Sequence, residues 1–271
     1  MKTLKNYLIV ICSLCLIACE KVIDVDLKNE APRLVIDASI DWIKNTSGNE
    51  QKINLSTTTT YNSKEFPTVS GANVTVANST NTSFQFIENP GTGEYICTNF
   101  QPVVGETYTL KVNLNGETYT ATETLVGVPN IQDNIQQKNT GGIGGKEIEI
   151  TYRYQDDPAR QNYYLTSVKN PRVAFPEYAV LDDENNQGNL VPVDYSNEDL
   201  KAGDLLSIRF YGISRRHFDY FGKLLSVSAD SPFPTVPSAV RGNIVNQTNS
   251  SNYAFGYFRL SEVDVQEYTV Q

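Results

Sequence analysis

A mostly β fold is predicted, with an N-terminal immunoglobulin-like sandwich followed by a second β-rich domain that carries one helix. Three observations indicate this. The chain of 271 residues has 16 Tyr and 11 Phe but a single Met, a composition that favours strands over helices. Short apolar–polar alternations recur through most of its length. An Asn-Gly pair at 115–116 separates two alternating runs, which is the strongest short-range signal for a β-hairpin.

The N-terminus has the features of a bacterial lipoprotein signal. Lys2 and Lys5 precede an apolar run over residues 7–18 that is too short to span a bilayer, and Leu-Ile-Ala-Cys closes it at 16–19. We therefore expect residues 1–18 to be a signal peptide, Cys19 to be acylated, and residues 19–32 to form a lipidated tether. The alternative is an ordinary secretory signal in which Cys19 has no role.

Residues 33–128 are predicted to form the sandwich. Leu34 to Ile43 is typical of a strand, and four more alternating pairs follow before the hairpin of residues 107–125. About seven short strands with turn residues every 8–12 positions are expected of an immunoglobulin-like domain. Cys97 is interpreted as a small buried apolar residue of this core.

Residues 129–146 are polar and end in a glycine-rich segment, which predicts a linker or a long loop between two domains. The alternative is one continuous domain with a large insertion.

Residues 147–271 are predicted to form the β-rich domain. Strands are expected over 148–154, 162–168, 205–211, 253–260 and 263–270, while residues 170–199 are interpreted as irregular. Ser214 is a predicted N-cap for a helix over about 214–228, because Phe218, Phe221 and Leu225 share one helical face. A proline-rich loop, with Pro232, Pro234 and Pro237, is expected to follow.

The charge balance excludes some partners. There are 22 basic and 31 acidic residues, and loss of residues 1–18 leaves 20 against 31, a formal charge of −11. Such a body repels nucleic acid and anionic lipid surfaces. Cys97 is then the only free cysteine, so no disulfide framework is expected.

No catalytic, cofactor-binding or metal-binding residues are assigned. His217 is the single histidine, and we expect it at a solvated helix end rather than in a Ser-His or Cys-His site. Arg215 and Arg216 lie at the positive end of the predicted helix dipole, where cations are disfavoured, so we single them out as a partner surface for an acidic ligand or protein.

Metal and sugar chemistry are weakly indicated. One histidine and one free cysteine cannot supply a zinc site. Residues 182–188 are rich in carboxylates and amides, but their glycine lies one position later than an EF-hand loop requires. We interpret them as a solvated turn and leave calcium open. Trp42 is the only tryptophan, which disfavours a sugar-processing cleft.

Several segments together resemble a Bacteroidota lipoprotein family, the domain of unknown function 4249. They are CEKVIDVDL at 19–27, LVI at 34–36, GANV at 71–74, GETYTLKV at 105–112, YTA at 119–121, DP at 157–158, NYY at 162–164, GD at 203–204, RGNI at 241–244 and GYF at 256–258. Members look like outer-membrane lipoproteins encoded beside TonB-dependent receptors. The resemblance therefore implies an accessory role in import and acylation at Cys19, and it implies no catalytic residue.

The sequence thus predicts a non-enzymatic binding accessory of a TonB-dependent transporter, lipid-anchored at the outer membrane. Glu20, directly after Cys19, favours the outer over the inner membrane, and the face of the outer membrane stays open. A structural or adhesive surface protein is the alternative, and a hydrolase is the least favoured. Expected partners are the membrane, through the lipid, and an outer-membrane receptor; no cofactor is expected.

Overall fold

The strand Leu34–Ile43 (β1) is central to the architecture. The computed structural model describes residues 31–60, 63, 65–142, 144–184, 186–228 and 239–271. Within β1, Ile36, Ala38 and Ile40 are buried while the residues between them are half-buried or exposed. This period of two is what a strand with one face on a core requires.

The described residues contain fourteen further strands and one helix. Six strands belong to the first half of the chain: β2 (Gln51–Thr57), β3 (Asn73–Asn78), β4 (Ser83–Asn89), β5 (Glu94–Cys97), β6 (Thr107–Leu114) and β7 (Glu117–Thr124). Five strands follow in the chain: β8 (Gln136–Gly141), β9 (Glu147–Gln155), β10 (Tyr163–Lys169), β11 (Glu177–Asp182) and β12 (Leu190–Asn197). Then come β13 (Leu205–Ile213), α1 (Arg215–Ser228), β14 (Val245–Asn246) and β15 (Phe255–Thr269).

Twelve of these strands are hydrogen-bonded in the order β11-β10-β13-β15-β1-β2-β5-β4-β3-β6-β7-β14, and β12-β9-β8 form a separate sheet. Strand β4 pairs with β5 on one side and β3 on the other, so the long sheet turns there and its two parts enclose the first core. The predicted mostly β class is confirmed. So is the hairpin of β6 and β7, whose turn residues Asn115 and Gly116 have φ of 51° and 81°.

The first core includes residues from far along the chain. Phe258 and Leu260 of β15 lie in it beside Ile36 and Tyr108. Strand β15 runs parallel to β1 from Val35↔Phe255 to Ile43↔Val263 and then pairs antiparallel with β13. The two predicted strands over 253–260 and 263–270 are therefore one strand that changes its main partner midway.

A second core lies between β9 and β12 on one side and β10 and β13 on the other. It is built on aromatic side chains, among them Tyr152, Tyr154, Tyr164 and Phe210. The opposite face of β10 and β13 carries Leu165, Tyr211 and Ile213, and helix α1 packs there through Phe218 and Phe221. The sheet thus has the β8-β9-β12 layer on one face and α1 on the other.

Two local predictions were wrong. Residues 170–199, expected to be irregular, include β11 and β12, both at sheet edges. The segment 129–146, expected to be a linker or long loop, includes β8, and Ile131 is buried and bridges to Tyr154. Residues 32–271 group as one compact unit, while the exact domain boundary stays a prediction. The proline-rich loop around Pro232, Pro234 and Pro237, the predicted signal peptide and most of the predicted tether lie outside the described residues.

Candidate functional site

A groove separates helix α1 from strands β1 and β15. Its volume is about 510 Å³. Rings of Tyr178, Tyr211, Tyr220, Phe221 and Tyr257 form much of its wall, and polar groups from the two strands form its floor. These aromatic side chains come from four elements, β11, β13, α1 and β15.

The strand pattern places these floor residues. With Ile36, Ala38 and Ile40 on the core, the alternate residues Asp37, Ser39 and Asp41 face the groove. In the parallel register Asp37 lies beside Tyr257 and Ser39 lies beside Arg259. Close pairing at this point needs a glycine: Gly256 has φ of +96°, and a Cβ there would lie 2.0 Å from the carbonyl oxygen of Ile36.

A buried ion pair closes one end of the groove. Arg259 Nη2 lies 2.8 Å from Asp41 Oδ1, with side-chain exposures of 8% and 28%. Arg259 Nη1 also donates to Ser261 Oγ at 2.7 Å, and its guanidinium lies 5.0 Å from the centroid of the Tyr211 ring. A buried charge of this kind is tolerated because a carboxylate, a hydroxyl and an aromatic face surround it.

His217 faces the groove from the first turn of α1. It is only 4% exposed, and neither ring nitrogen has a hydrogen-bond partner within the described residues. The ring lies among Tyr257 at 4.6 Å, Phe221 at 5.5 Å and Tyr220 at 6.0 Å between centroids. Burial, with a further contribution from the Arg259 charge, lowers the pKa of His217 to about 2, so the imidazole is neutral at physiological pH.

The expectation that His217 sits at a solvated helix end was therefore wrong. The helix begins with its inner face against β15, so a residue of its first turn is covered by Tyr257 rather than by water. Ser214 is the N-cap as predicted: its Oγ accepts from the His217 backbone N–H at 3.2 Å. The same Oγ donates to Glu123 Oε2 at 2.9 Å, and Tyr257 donates to this carboxylate oxygen at 3.0 Å.

Arg215 and Arg216, the predicted partner surface, diverge in the structure. Arg215 is exposed, and its Nε lies 4.0 Å from Asp219 of the next turn. Arg216 lines a different cavity, of about 570 Å³, with Lys223 and Arg241. Neither arginine lines the groove, and their role as a partner surface stays a prediction. Cys19 lies outside the described residues.

The described residues hold no group of three or more His, Cys, Asp or Glu side chains placed to bind a metal ion. In the candidate calcium segment 182–188, Asp183 is fully buried and accepts a hydrogen bond from the Asn162 backbone N–H at 2.7 Å. That carboxylate thus holds a turn together. Cys97 is buried in the first core as predicted, and burial raises the pKa of its thiol.

Comparison with known proteins places the chain in a family. The model of a family described as a domain of unknown function (DUF4249) matches residues 20–267. The chain belongs to the DUF4249 family. This confirms the resemblance noted from its motifs, and the match includes every residue of the groove.

Two other comparisons add little for this DUF4249 protein. No curated protein matches it. A solved structure, a two-domain fibronectin type III segment of chicken tenascin, aligns with 14% identity over 68% of this chain and 91% of that one, at a TM-score of 0.23. That overlap is too low to carry an argument. No described helix is both long and apolar enough to cross a membrane.

Sequence reasoning missed the groove residues of this DUF4249 protein. Asp37, Ser39 and Asp41 alternate with the core residues of β1, so a polar face of this strand was visible in the sequence. The strand that pairs with this face was not visible in the sequence. Its residues Tyr257 and Arg259 follow about 220 positions later, and parallel pairing has no local sequence signal.

Proposed function

We propose that this protein is a non-enzymatic binding protein of the outer membrane, anchored by lipid on Cys19, that serves a TonB-dependent transporter. The groove under α1 is its ligand site. The observation that carries the proposal is His217: a polar ring at 4% exposure, without a hydrogen-bond partner among the described residues, that lines a cavity of about 510 Å³. A concave, mostly apolar site with a few convergent polar groups is typical of small-molecule binding.

The chemistry of the groove favours binding over catalysis. A histidine with a pKa of about 2 is too weak a base to take a proton near neutral pH. Asp41, the carboxylate nearest to Arg259, is held by that guanidinium at 2.8 Å, so it is poorly suited to act as a nucleophile. The groove thus offers shape, aromatic surface and hydrogen-bonding groups.

The lipid anchor and the transporter role rest on the sequence. The lipobox at 16–19 supports acylation of Cys19, and the DUF4249 motifs support an accessory role in import. Two acyl chains or more give stable membrane attachment, whereas a single chain binds only reversibly. A protein held this way can deliver a bound ligand to a neighbouring receptor at a high effective concentration.

The test is a mild-detergent purification of the tagged full-length protein from its native outer membrane, followed by mass spectrometry of co-purifying proteins. We expect a TonB-dependent receptor in stoichiometric amount. The matched variant Cys19→Ala should move to the soluble fraction and lose the receptor. A protein that purifies alone supports the structural or adhesive alternative, and a Cys19→Ala variant that stays in the membrane contradicts the lipid anchor.

A further inference from the structure

One end of the groove already contains a cation supplied by the chain itself. The Arg259 guanidinium lies between the Asp41 carboxylate, at 2.8 Å, and the ring of Tyr211, at 5.0 Å. A carboxylate on one side and an aromatic face on the other are the two groups that bind organic cations in proteins. At this end of the groove, the Arg259 guanidinium therefore takes the place that an organic cation would occupy.

The other end of the groove has a carboxylate and aromatic rings, and no Lys or Arg side chain is among its described lining residues. Asp37, two strand pairs before Ser39–Arg259 in the register, has no ion-pair partner among the described residues. The hydrogen bond recorded for its carboxylate comes from Ser39 Oγ, at 2.9 Å. Tyr257 is its neighbour across the parallel pairing. Tyr220 lines the same groove as Asp37, and burial and then the Asp37 charge raise the pKa of its hydroxyl.

The aromatic surface at this end is continuous. The rings of Tyr220 and Tyr257 lie 4.8 Å apart between centroids, and His217 packs edge-on against Tyr257. Beyond them Leu165, Phe221 and Leu224 supply an apolar wall. A ligand that fits must therefore pair a positive group with a hydrophobic body.

We infer that the groove binds an organic ammonium compound, with the cationic nitrogen at Asp37 beside the packed rings of Tyr220 and Tyr257 and the hydrophobic body under α1. The inference rests on the proposed binding function and names the ligand class for that site. The charges of the lining residues favour a cationic ligand over an anionic one. The groove carries two carboxylates, Asp37 and Asp41, against the single cation Arg259. An anionic ligand would have to displace Asp41 from Arg259 and would also meet Asp37.

His217 has a defined part in this scheme. Its neutral ring offers one donor and one acceptor nitrogen, and neither has a hydrogen-bond partner in the part of the chain that the structure describes. A ligand whose polar group reaches the imidazole satisfies a buried atom that otherwise has no partner. This provides specificity for ligands with a hydrogen-bonding group near the ammonium, because buried polar groups discriminate strongly against partners that leave them unpaired.

The test uses three compounds of matched size: 2-phenylethylammonium, 2-phenylethanol and 3-phenylpropionate. Binding to the full-length lipidated protein in mild detergent is measured by isothermal titration calorimetry. We expect 2-phenylethylammonium to bind and the other two to bind at least about tenfold more weakly, the ratio that one lost charged contact produces.

Variants separate the groove from the rest of the acidic surface. Asp37→Asn should weaken ammonium binding at least about tenfold, and Asp37→Glu should retain most of it, because the charge decides the affinity. Asp133→Asn, which removes an exposed carboxylate outside the groove lining, should leave binding unchanged. Circular dichroism checks that each variant keeps its fold, as expected for exposed positions.

The outcomes are distinct from those of the purification experiment. Equal or tighter binding of the alcohol or the carboxylate overturns the ligand class and leaves the binding function in place. Absence of binding by all three compounds, or equal loss in Asp37→Asn and Asp133→Asn, also overturns the inference, while co-purification of a receptor would still support the accessory role. Ammonium binding by a protein that purifies alone supports the inference and contradicts the transporter role.

Discussion

The two faces of the β1–β15 pair have opposite chemical character. On one face Ile36, Ile40 and Phe258 are fully buried among apolar side chains. On the other, one residue away along each strand, Asp37, Asp41 and Arg259 line an open groove. The comparison teaches that a single strand pair serves two purposes: its inner face stabilises the fold, and its outer face holds groups that the fold alone does not need.

The largest effect is expected from the inner face. Phe258→Ala should lower the free energy of unfolding by about 3–5 kcal/mol, because it removes a fully buried aromatic ring and leaves a cavity. Its matched control, Ser39→Ala on the outer face, should change the free energy by less than about 0.5 kcal/mol. Urea unfolding of both variants measures the difference. Equal effects would show that the two faces do not divide stability and binding between them.

An intermediate effect is expected at the ion pair. Arg259→Met should lower the free energy of unfolding by about 2–4 kcal/mol, because Asp41 is left partly buried without its partner. The double variant Asp41→Leu with Arg259→Met should recover most of this loss, since hydrophobic replacements of buried pairs are often neutral. The same urea titrations test it. Strictly additive losses would indicate that the two residues act independently.

The smallest effect has the opposite sign. His217→Phe should raise the free energy of unfolding by about 1 kcal/mol at neutral pH, since it removes a buried polar ring without partners. The same variant should weaken ligand binding. A loss of stability instead would show that the imidazole has a structural partner.

The pH dependence sharpens this prediction. The native pKa of His217 is about 2, far below the ordinary value of 6.5. Between pH 2 and pH 6.5, the unfolded chain therefore binds a proton on this histidine that the native state does not bind. The stabilisation is thus complete above pH 6.5 and is lost as the pH falls, by about 1.4 kcal/mol per unit. Between pH 6.5 and 5, wild type should lose about 1.6 kcal/mol more than His217→Phe, because the unfolded histidine is only half protonated at pH 6.5. Parallel pH profiles would contradict the buried neutral imidazole.

Local sequence patterns were sufficient to predict much of the fold. Alternation located β1 and the hairpin of β6 and β7, and the Ser214 cap with one apolar face located α1. It failed for β11, an edge strand with weak alternation, and for β12, where Pro192 interrupts an alternating run of Val191, Val193 and Tyr195. Sheets accept a proline at an edge, which is where β12 lies. It also divided β15 in two, because Ser261 and Glu262 interrupt the apolar pattern where the strand changes partner.

The site was harder to predict than the fold for a related reason. The polar face of β1 is visible in the sequence, but whether such a face meets water or a groove depends on which strand pairs with it and on what packs above. Here both answers come from distant segments, β15 and α1. His217 shows the same limit: its position in the helix was predicted correctly, and its burial depends on Tyr257 of another element.

The parallel pairing of β1 with β15 also dictates an order of assembly. Val35 meets Phe255, so a ribosome must add 220 residues after the first of these before the second exists. Until then one edge of β1 has no permanent neighbour and the first core lacks Phe258 and Leu260. Contacts that span such a distance make folding slow. The nascent chain therefore remains incompletely folded until its distal strand emerges.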